Sequence, residues 1–331
     1  MTIRPFQLPA DLDLMISLIK DGFQYPDNPD WSIQEDDLDG MVDQLNGVKR
    51  IWPLVRFAQI ISPPLRDLLR GFIYEKNGQP GGLINYMRQR KDPSWHIGNV
   101  TVLPAFRRRG IARKLVERTI QEITDREARV AILDVVDGNL PAFSLYENLG
   151  FEAYTSLMEY HLQKEMSVAP TPLPDGYILS PLQPSNWKIL YHFTERVTPE
   201  SITHYEKISE TRFRISFLIR VLGPLVDGVG GLRTVRLVMK KADGDVVGWG
   251  RYRYRTRKGG VNNADIQVDP KHPELALPFL SQVIATIHEK SPGRRIELKL
   301  NDWQPALIEA AESLGCEKRY TLKRMGLLFK S

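Results

Sequence analysis

A single cysteine, Cys316, stands in 331 residues. One thiol cannot close an internal disulfide, so a disulfide framework is excluded, and so is any cysteine-based zinc site. Long apolar runs are also missing. None approaches the roughly 20 residues needed to cross a bilayer. The opening Met1-Thr-Ile-Arg-Pro5 lacks the basic-then-apolar order of a secretory leader. Strong charge of one sign is absent as well, since the formal net charge is only +5. These absences lead us to expect a cytoplasmic, globular protein with no metal and no membrane partner, existing as a monomer or homodimer. Its length, at about 150 residues per domain, suggests two domains, each long enough to bury a core without staples.

The small charge excess is unevenly spread. Residues 1–165 carry 20 Lys and Arg against 23 Asp and Glu, and the remainder carries 25 against 17. The one strong linker signal lies at the midpoint. Gln163 to Gly176, QKEMSVAPTPLPDG, holds three prolines and little periodicity. We therefore expect a first domain at 1–163, a linker at 164–175 and a second domain at 176–331. The halves resemble each other at an offset of about 165 residues, which suggests duplication of a whole domain. Arg50-Ile-Trp-Pro-Leu-Val-Arg56 lines up with Arg214-Ile-Ser-Phe-Leu-Ile-Arg220. Asn99-Val-Thr-Val-Leu-Pro104 lines up with Asp265-Ile-Gln-Val-Asp-Pro270, and Leu149-Gly-Phe151 with Leu314-Gly-Cys316.

Each half reads as strand, helix, helix, three strands, helix, strand, helix, strand. In the first, Ile3–Leu8 forms a short strand, and Ala10–Gly22 carries Leu12, Met15, Ile16 and Ile19 at helical spacing. Trp95–Leu103 is β-rich. Ile111–Ile123 is an amphipathic helix with charges between Ile111, Leu115, Ile120 and Ile123. Val130–Val136 is an apolar strand, Leu140–Leu149 a second helix, and Glu152–Leu162 a closing strand. Strand–helix–strand crossovers of this kind predict an α/β domain, with a mixed sheet covered by helices.

The stretch richest in chemistry is Val100-Thr-Val-Leu-Pro-Ala-Phe-Arg107-Arg-Arg-Gly110-Ile-Ala-Arg113. A strand ends, Pro104 stops ladder donation, and a basic, Gly-containing turn opens a helix. A helix start leaves N–H groups unpaired and carries partial positive charge, so such a turn suits a pyrophosphate. Gly110 permits close backbone approach, and Arg107, Arg108, Arg109 and Arg113 add full charges. An ordinary basic helix start has the same composition.

Spacing separates the two. Arg107-x-x-Gly110-x-Ala112 after Val102-x-Pro104 resembles the acyl-CoA-binding motif of the GNAT superfamily of N-acetyltransferases. Some thirty residues on, Asn139-Leu-Pro-Ala142-Phe-Ser-Leu-Tyr146-Glu-Asn-Leu-Gly150-Phe151 resembles that family's second signature. The chain departs from the first motif at Arg108, where relatives commonly have Gly. The resemblance covers most of residues 1–163. It implies that acetyl-CoA, as co-substrate, lies in a V-shaped opening between the strands ending at Val102 and near Val136. Its pantetheine arm would pair with Val100, Thr101 and Val102. Its pyrophosphate would sit on the N–H groups from Arg107 through Arg108, Arg109, Gly110, Ile111 and Ala112 to Arg113. An N–H near Val102 would polarise the thioester carbonyl.

By the same resemblance Tyr146 is the general acid for the leaving thiolate, with packing on the helix face as its ordinary alternative. Ala142 lies on the same motif, and Asn139 either bonds CoA or fixes the helix start. His96 stands where many relatives carry Glu. It is a candidate base for the attacking amine or a structural histidine, and Asp134 and Asn99 are weaker candidates. On a regular strand His96 shares a face with Val100 and Val102, an alternation that a bulge would break.

From Asp21 to Asp43 eight carboxylates follow one another with no Lys or Arg between them. They form either an acidic wall for a cationic primary amine or a solvated face. Tyr25, Trp31 and Trp52 are available for packing or cation–π contacts. The second half lacks this equipment. Its turn reads Val268-Asp-Pro-Lys-His-Pro-Glu-Leu-Ala-Leu-Pro278, with acidic side chains and prolines where N–H donors are needed. Counting back from Gly315 puts Ala311 at the place of Tyr146. We read 176–331 as a degenerate GNAT-like domain, in a tandem organisation similar to that of mycothiol synthase. Arg251, Arg253, Arg255 and Arg257 share one strand face, as an anion contact or as a salt-bridged surface. No nucleic-acid motif accompanies them. Two function classes follow: an acetyl-CoA-dependent N-acetyltransferase working in its first domain, or a non-catalytic acyl-CoA sensor.

Overall fold

The computed structural model describes residues 1–61, 66–67, 69–89, 93–214, 223, 227–228, 230–257 and 259–329. The stretch 215–220, aligned above with Ile51–Arg56, lies outside the described residues. The chain divides into two compact units. Unit 1 is Met1–Tyr154 with His204–Lys207 and Lys323–Ser331, and unit 2 is Thr155–Thr203 with Ile208–Leu322.

Unit 1 begins with β1 (Thr2–Pro5), which stops before Leu8, and continues through α1 (Leu12–Gly22), α2 (Glu35–Arg50) and α3 (Trp52–Ile61). One more helix is present here than the sequence pattern suggested. Then come β2 (Arg70–Lys76), β3 (Gln79–Arg88), β4 (Ser94–Val102), α4 (Ile111–Thr124), β5 (Val130–Val136) and α5 (Leu140–Glu147). The strands β1 to β4 pair antiparallel in succession, and β5 joins β4 in parallel after the α4 crossover. Helices cover both faces because the strands are apolar on both. On one face Ile111, Leu115, Val116 and Ile123 of α4 pack with Phe72, Ile84, Trp95 and Leu133. On the other, Leu12, Met15, Leu18 and Ile19 of α1 pack on Ile73 and Leu83. The stretch from Lys323 supplies Met325 to the α4-side core, and Phe329 donates its N–H to Arg129 O at 2.9 Å.

Unit 2 takes up β6 (Glu152–Leu162) from Thr155 onward and adds β7 (Tyr177–Pro181), β8 (Leu232–Lys241), β9 (Val246–Arg255), β10 (Asn262–Val268), β11 (Ile296–Asn301) and β12 (Glu317–Leu328) as far as Leu322. Its strands run in the order β7-β8-β9-β10-β11-β6-β12. The β10–β11 pair is parallel, and the β7–β8, β8–β9, β9–β10 and β11–β6 pairs are antiparallel. Phe279, Leu280, Val283 and Ile284 of the helix Ala276–Lys290 form the middle of its core. The proline-rich stretch between β6 and β7 carries no helix or strand and lies along that helix, with Thr171 N donating to Ser281 Oγ at 2.9 Å.

Candidate active site

β4 and β5 pair only over Ser94–Ile97 and Val130–Leu133. Past that point β4 runs on to Val102 and β5 to Val136 without pairing to each other, so the strands splay. β4 stays bound to β3, but the register shifts between Leu83 and Asn85, where β4 carries one extra residue. Asn99 sits in this bulge at φ 49° and donates from Nδ2 to Asn85 Oδ1 at 3.2 Å. Leu103 donates its N–H to Gly81 O at 3.0 Å. Successive N–H groups of an extended strand point to opposite edges, so that of Val102 points into the splay.

The chain then turns sharply. Arg108 (φ 59°) and Gly110 (φ 71°) are both left-handed. The first helical bond of α4 runs from Lys114 N to Gly110 O at 3.1 Å, which leaves the N–H groups of Ile111, Ala112 and Arg113 without helical acceptors. Alternating right- and left-handed residues make a concavity lined by N–H donors, an anion cradle. A Cβ at Gly110 would meet nothing within 4 Å, so the cradle is open on that side. The arginines are less free than their number suggests. Arg107 is a strap, donating from Nε to Val102 O (3.1 Å) and from Nη2 to Gly22 O (2.9 Å), with its guanidinium over the Tyr25 ring. Arg109 lies over Phe106 and Arg113 pairs with Glu117.

A cavity of about 740 Å³ fills the splay. Val100, Thr101 and Val102 form one wall, Arg107, Arg108, Arg109 and Ala112 the end, and Asn139, Ala142 and Tyr146 the far side. Asn139 Oδ1 caps α5 by accepting from Ala142 N at 3.3 Å. Tyr146 is buried and packs edge-on against Phe151. Burial, and secondarily the nearby Tyr25 phenol, pushes its pKa well above the usual tyrosine value, so it remains a proton donor. Thr101 Oγ1 is buried beside Gly22 with no hydrogen-bond partner among the described residues. An orphaned hydroxyl, an inward N–H and an N–H cradle together fit a thioester tail ending in phosphates.

Four residues expected at the site do not line this cavity: Gly110, Ile111, Arg113 and His96. Gly110 and Ile111 belong to the turn through their backbone, and the Ile111 side chain belongs to the core. The bulge at Asn99 breaks the alternation, so Val100 and Val102 join Trp95 and Ile97 on the α4 side. His96 therefore faces the other way and does not share their face. Its Nε2 lies 3.9 Å from Asp134 Oδ2. Asp134 is held by Arg324 (Nε to Oδ1 2.8 Å, Nη2 to Oδ2 3.2 Å), which also reaches Glu206 at 3.2 Å. Tyr154 donates to Glu206 at 2.8 Å. Burial lowers the His96 pKa, Asp134 opposes this and Arg324 reinforces it, so the imidazole is neutral near pH 7.

Sequence reasoning missed Gly22 and Leu145, which also line the cavity. Leu145 was within reach, three residues after Ala142 on one helix face. Arg324 and Glu206 come from distant segments of unit 1 and left no local signal. Of the acidic residues between Asp21 and Asp43, Glu35, Asp36 and Asp37 fall in the first turn of α2, where negative charge favours the helix dipole.

Unit 2 holds a matching splay. β10 and β11 pair over Asn262–Ala264 and Ile296–Leu298 only. Asp269 donates to Val247 O at 2.8 Å, as Leu103 does to Gly81, so Val268 N–H points into the opening. There it meets Gln304 Oε1 at 3.1 Å. Gln304 is buried and occupies the place, counted back from Gly315, of Asn139. β10 has no bulge against β9. In the same unit Glu159, His161 and Glu297 converge with ligating atoms within 4.8 Å of one another. Cations already reach these carboxylates: Lys299 Nζ is 3.0 Å from Glu297 and 3.6 Å from Glu159, and Arg319 is 3.1 Å from Glu159. Cys316 is buried, its thiol pushed up to about 12 by desolvation.

Residues 44–151 match the acetyltransferase (GNAT) family. The N-alpha-acetyltransferase 30 of Dictyostelium discoideum is 33% identical over 92 residues, which cover 27% of this chain and 50% of that protein. The ribosomal protein bS18-alanine N-acetyltransferase of Salmonella typhimurium is 40% identical over 63 residues, 19% of this chain and 43% of that one. The chain thus spans half or less of the length of these curated relatives. Among solved structures, a tandem GNAT protein from the clavulanic acid biosynthesis pathway superposes with a TM-score of 0.64 at 14% identity, covering 100% of this chain and 99% of that one. A GCN5-related N-acetyltransferase from Sphaerobacter thermophilus gives 0.63 at 14% identity, covering 99% and 96%. At these identities the likeness is one of fold. Among the described residues no helix is long and apolar enough to cross a membrane.

Proposed function

Since residues 44–151 form a GNAT-family acetyltransferase domain, we propose that the protein transfers an acetyl group from acetyl-CoA to a primary amine, with the chemistry in unit 1. One observation carries this reading: the splay of β4 from β5 with the Val102 N–H turned into it and the Arg108–Gly110 cradle at its end. Acetyl-CoA supplies an acyl group activated as a thioester. The cradle N–H groups bind its pyrophosphate, and the unpaired edge of β4 from Val100 to Val102 holds its arm as an added strand. Val102 N–H donates to the carbonyl oxygen, where negative charge grows as the amine nitrogen bonds to the acetyl carbon. The C–S bond then breaks. Tyr146 gives its phenolic proton to the departing sulfur, and His96, by way of water, takes the proton the amine releases. Asp134, pinned by Arg324, lies beside His96 and favours the imidazolium that forms when the proton arrives. Much of the acceleration comes from holding the two substrates together.

The names of the relatives direct the choice of acceptor. One is an N-alpha-acetyltransferase and the other acts on an alanine of a ribosomal protein, so an α-amino group on a short peptide is the first acceptor to try. The acidic stretch from Asp21 to Asp43 favours a cationic one.

Calorimetry with acetyl-CoA, followed by thiol release across a panel of peptides and small amines, tests the reading. We expect one equivalent bound per chain and thiol release with an α-amine. The rate should fall off on the acid side only below the ordinary imidazole range, because a depressed His96 stays neutral further down in pH. Binding without thiol release leaves the acyl-CoA sensor instead, and no binding at all removes both readings.

A further inference from the structure

Unit 2 carries an arrangement of arginines that the acetyl-transfer reading does not use. Arg251 and Arg253 project from one face of β9. Across β8 the residue directly opposite Arg251 is Arg236, and across β10 it is Asp265. Opposed like charges on neighbouring strands destabilise a sheet, so an Arg–Arg pair needs something to hold it. Arg251 has its own partner, donating to Asp265 Oδ2 from Nε at 3.0 Å. Among the described residues Arg253 has only a neutral one, donating from Nε to Asn263 Oδ1 at 2.9 Å. The Arg236 guanidinium makes no hydrogen bond or ion pair with any described residue. It is half-buried all the same, and burial together with Arg251 makes its charge harder to keep, as burial does for Arg253.

Among the described residues three acidic groups act on this cluster, Asp227, Asp265 and Glu297. Asp265 belongs to Arg251. Asp227 accepts from Thr234 Oγ1 at 2.7 Å, and Glu297 is held by Lys299. The sequence from Ile215 to Val226 contains no Asp or Glu that would supply another. Arg255, further along the strand, is buried and satisfied by Gly230 O and Gly259 O, which shows how this sheet treats an arginine held for structure. Arg236 and Arg253 are the exceptions.

We propose that Arg236, Arg251 and Arg253 form an anion-binding site in unit 2, for a small ligand presenting at least two charged oxygens. Side chains two apart on a strand stand roughly 7 Å from each other, and opposed ones about 5 Å. The three side chains therefore rise from one patch of the sheet, where the Arg236 fork and the remaining Nη groups of Arg251 and Arg253 can meet charged oxygens. A phosphoryl group and a dicarboxylate share this chemistry. The site is independent of acetyl transfer in unit 1.

The test uses the full chain with acetyl-CoA held saturating, so that the unit 1 cradle is filled, and with ionic strength matched by sodium chloride. Inorganic phosphate and succinate are titrated separately by calorimetry, and melting is followed in parallel. We expect one saturable equivalent of at least one anion. Tighter phosphate identifies a phosphoryl ligand, and tighter succinate a dicarboxylate. Arg236→Gln and, as a second variant, Arg253→Gln should each weaken binding at least tenfold and leave acetyl-CoA affinity unchanged. Without anion, Arg236→Gln should melt at or above the wild-type temperature, because an unpaired half-buried charge is removed. Absence of saturable binding by either anion, or equal affinity in both variants, overturns the proposal.

Discussion

The two splays are built alike and equipped differently. Both open where a parallel strand pair stops after three or four residues, and both turn one N–H inward, Val102 in unit 1 and Val268 in unit 2. In unit 1 that group faces a cavity of about 740 Å³. In unit 2 it is satisfied by Gln304 from the start of the following helix. The side chain at the equivalent place in unit 1, Asn139, is one methylene shorter and bonds its own helix. The lesson is that an inward amide is an obligation of this fold. A buried N–H must find an acceptor, and a chain that does not reserve it for a substrate closes it with its own side chain. The bulge and the left-handed turn accompany the open splay, and the closed one has a regular strand and no such turn.

Three substitutions probe that contrast. The largest expected effect is at Tyr146, which unit 2 replaces by Ala311. Tyr146→Phe should lower kcat about 100-fold, as loss of a general acid does, with acetyl-CoA affinity unchanged. Unchanged turnover across several pH values would take Tyr146 out of the chemistry. Next, Gln304→Ala strips Val268 N–H of its acceptor and should destabilise the protein by about 1–3 kcal/mol in urea unfolding. Calorimetry should still find one equivalent of acetyl-CoA. A second equivalent would mean that the cradle is dispensable and that Gln304 alone closes unit 2. The smallest effect is at Arg108, whose left-handed backbone is strained for a residue with a Cβ. Arg108→Gly should raise stability by no more than about 1 kcal/mol, strain relief being offset by glycine entropy. A loss of stability would show that the arginine side chain does more in the turn than its φ value suggests.

The periodic parts of this fold were legible in the sequence. Val130–Val136 is a strand over the residues its apolar run marked, and α4 begins at Ile111, as the Gly110 turn required. Asn139 and Tyr146 also fall on the helix their spacing placed them on, one as its cap and the other on its buried side. What alternation could not carry was the consequence of a single inserted residue. The bulge at Asn99 leaves no compositional mark, yet it reverses which side chains of β4 face α4, and it separates His96 from Val100 and Val102. The partners of His96 were hidden for another reason. Asp134, Glu206 and Arg324 are far apart along the chain, and only folding brings them together. Gln304 was recoverable, since the count from Gly315 that identified Ala311 also reaches it.

Unit 1 includes His204–Lys207 and Lys323–Ser331, separated from its main body by most of unit 2. Chains grow from the N-terminus at roughly 5–20 residues per second. The imidazole of His96 thus emerges from the ribosome well before the guanidinium that steadies its neighbour. A nascent polypeptide halted anywhere short of Arg324 carries the splay and the left-handed turn of unit 1 but lacks the guanidinium that holds Asp134, so unit 1 is completed only after unit 2 has been synthesised.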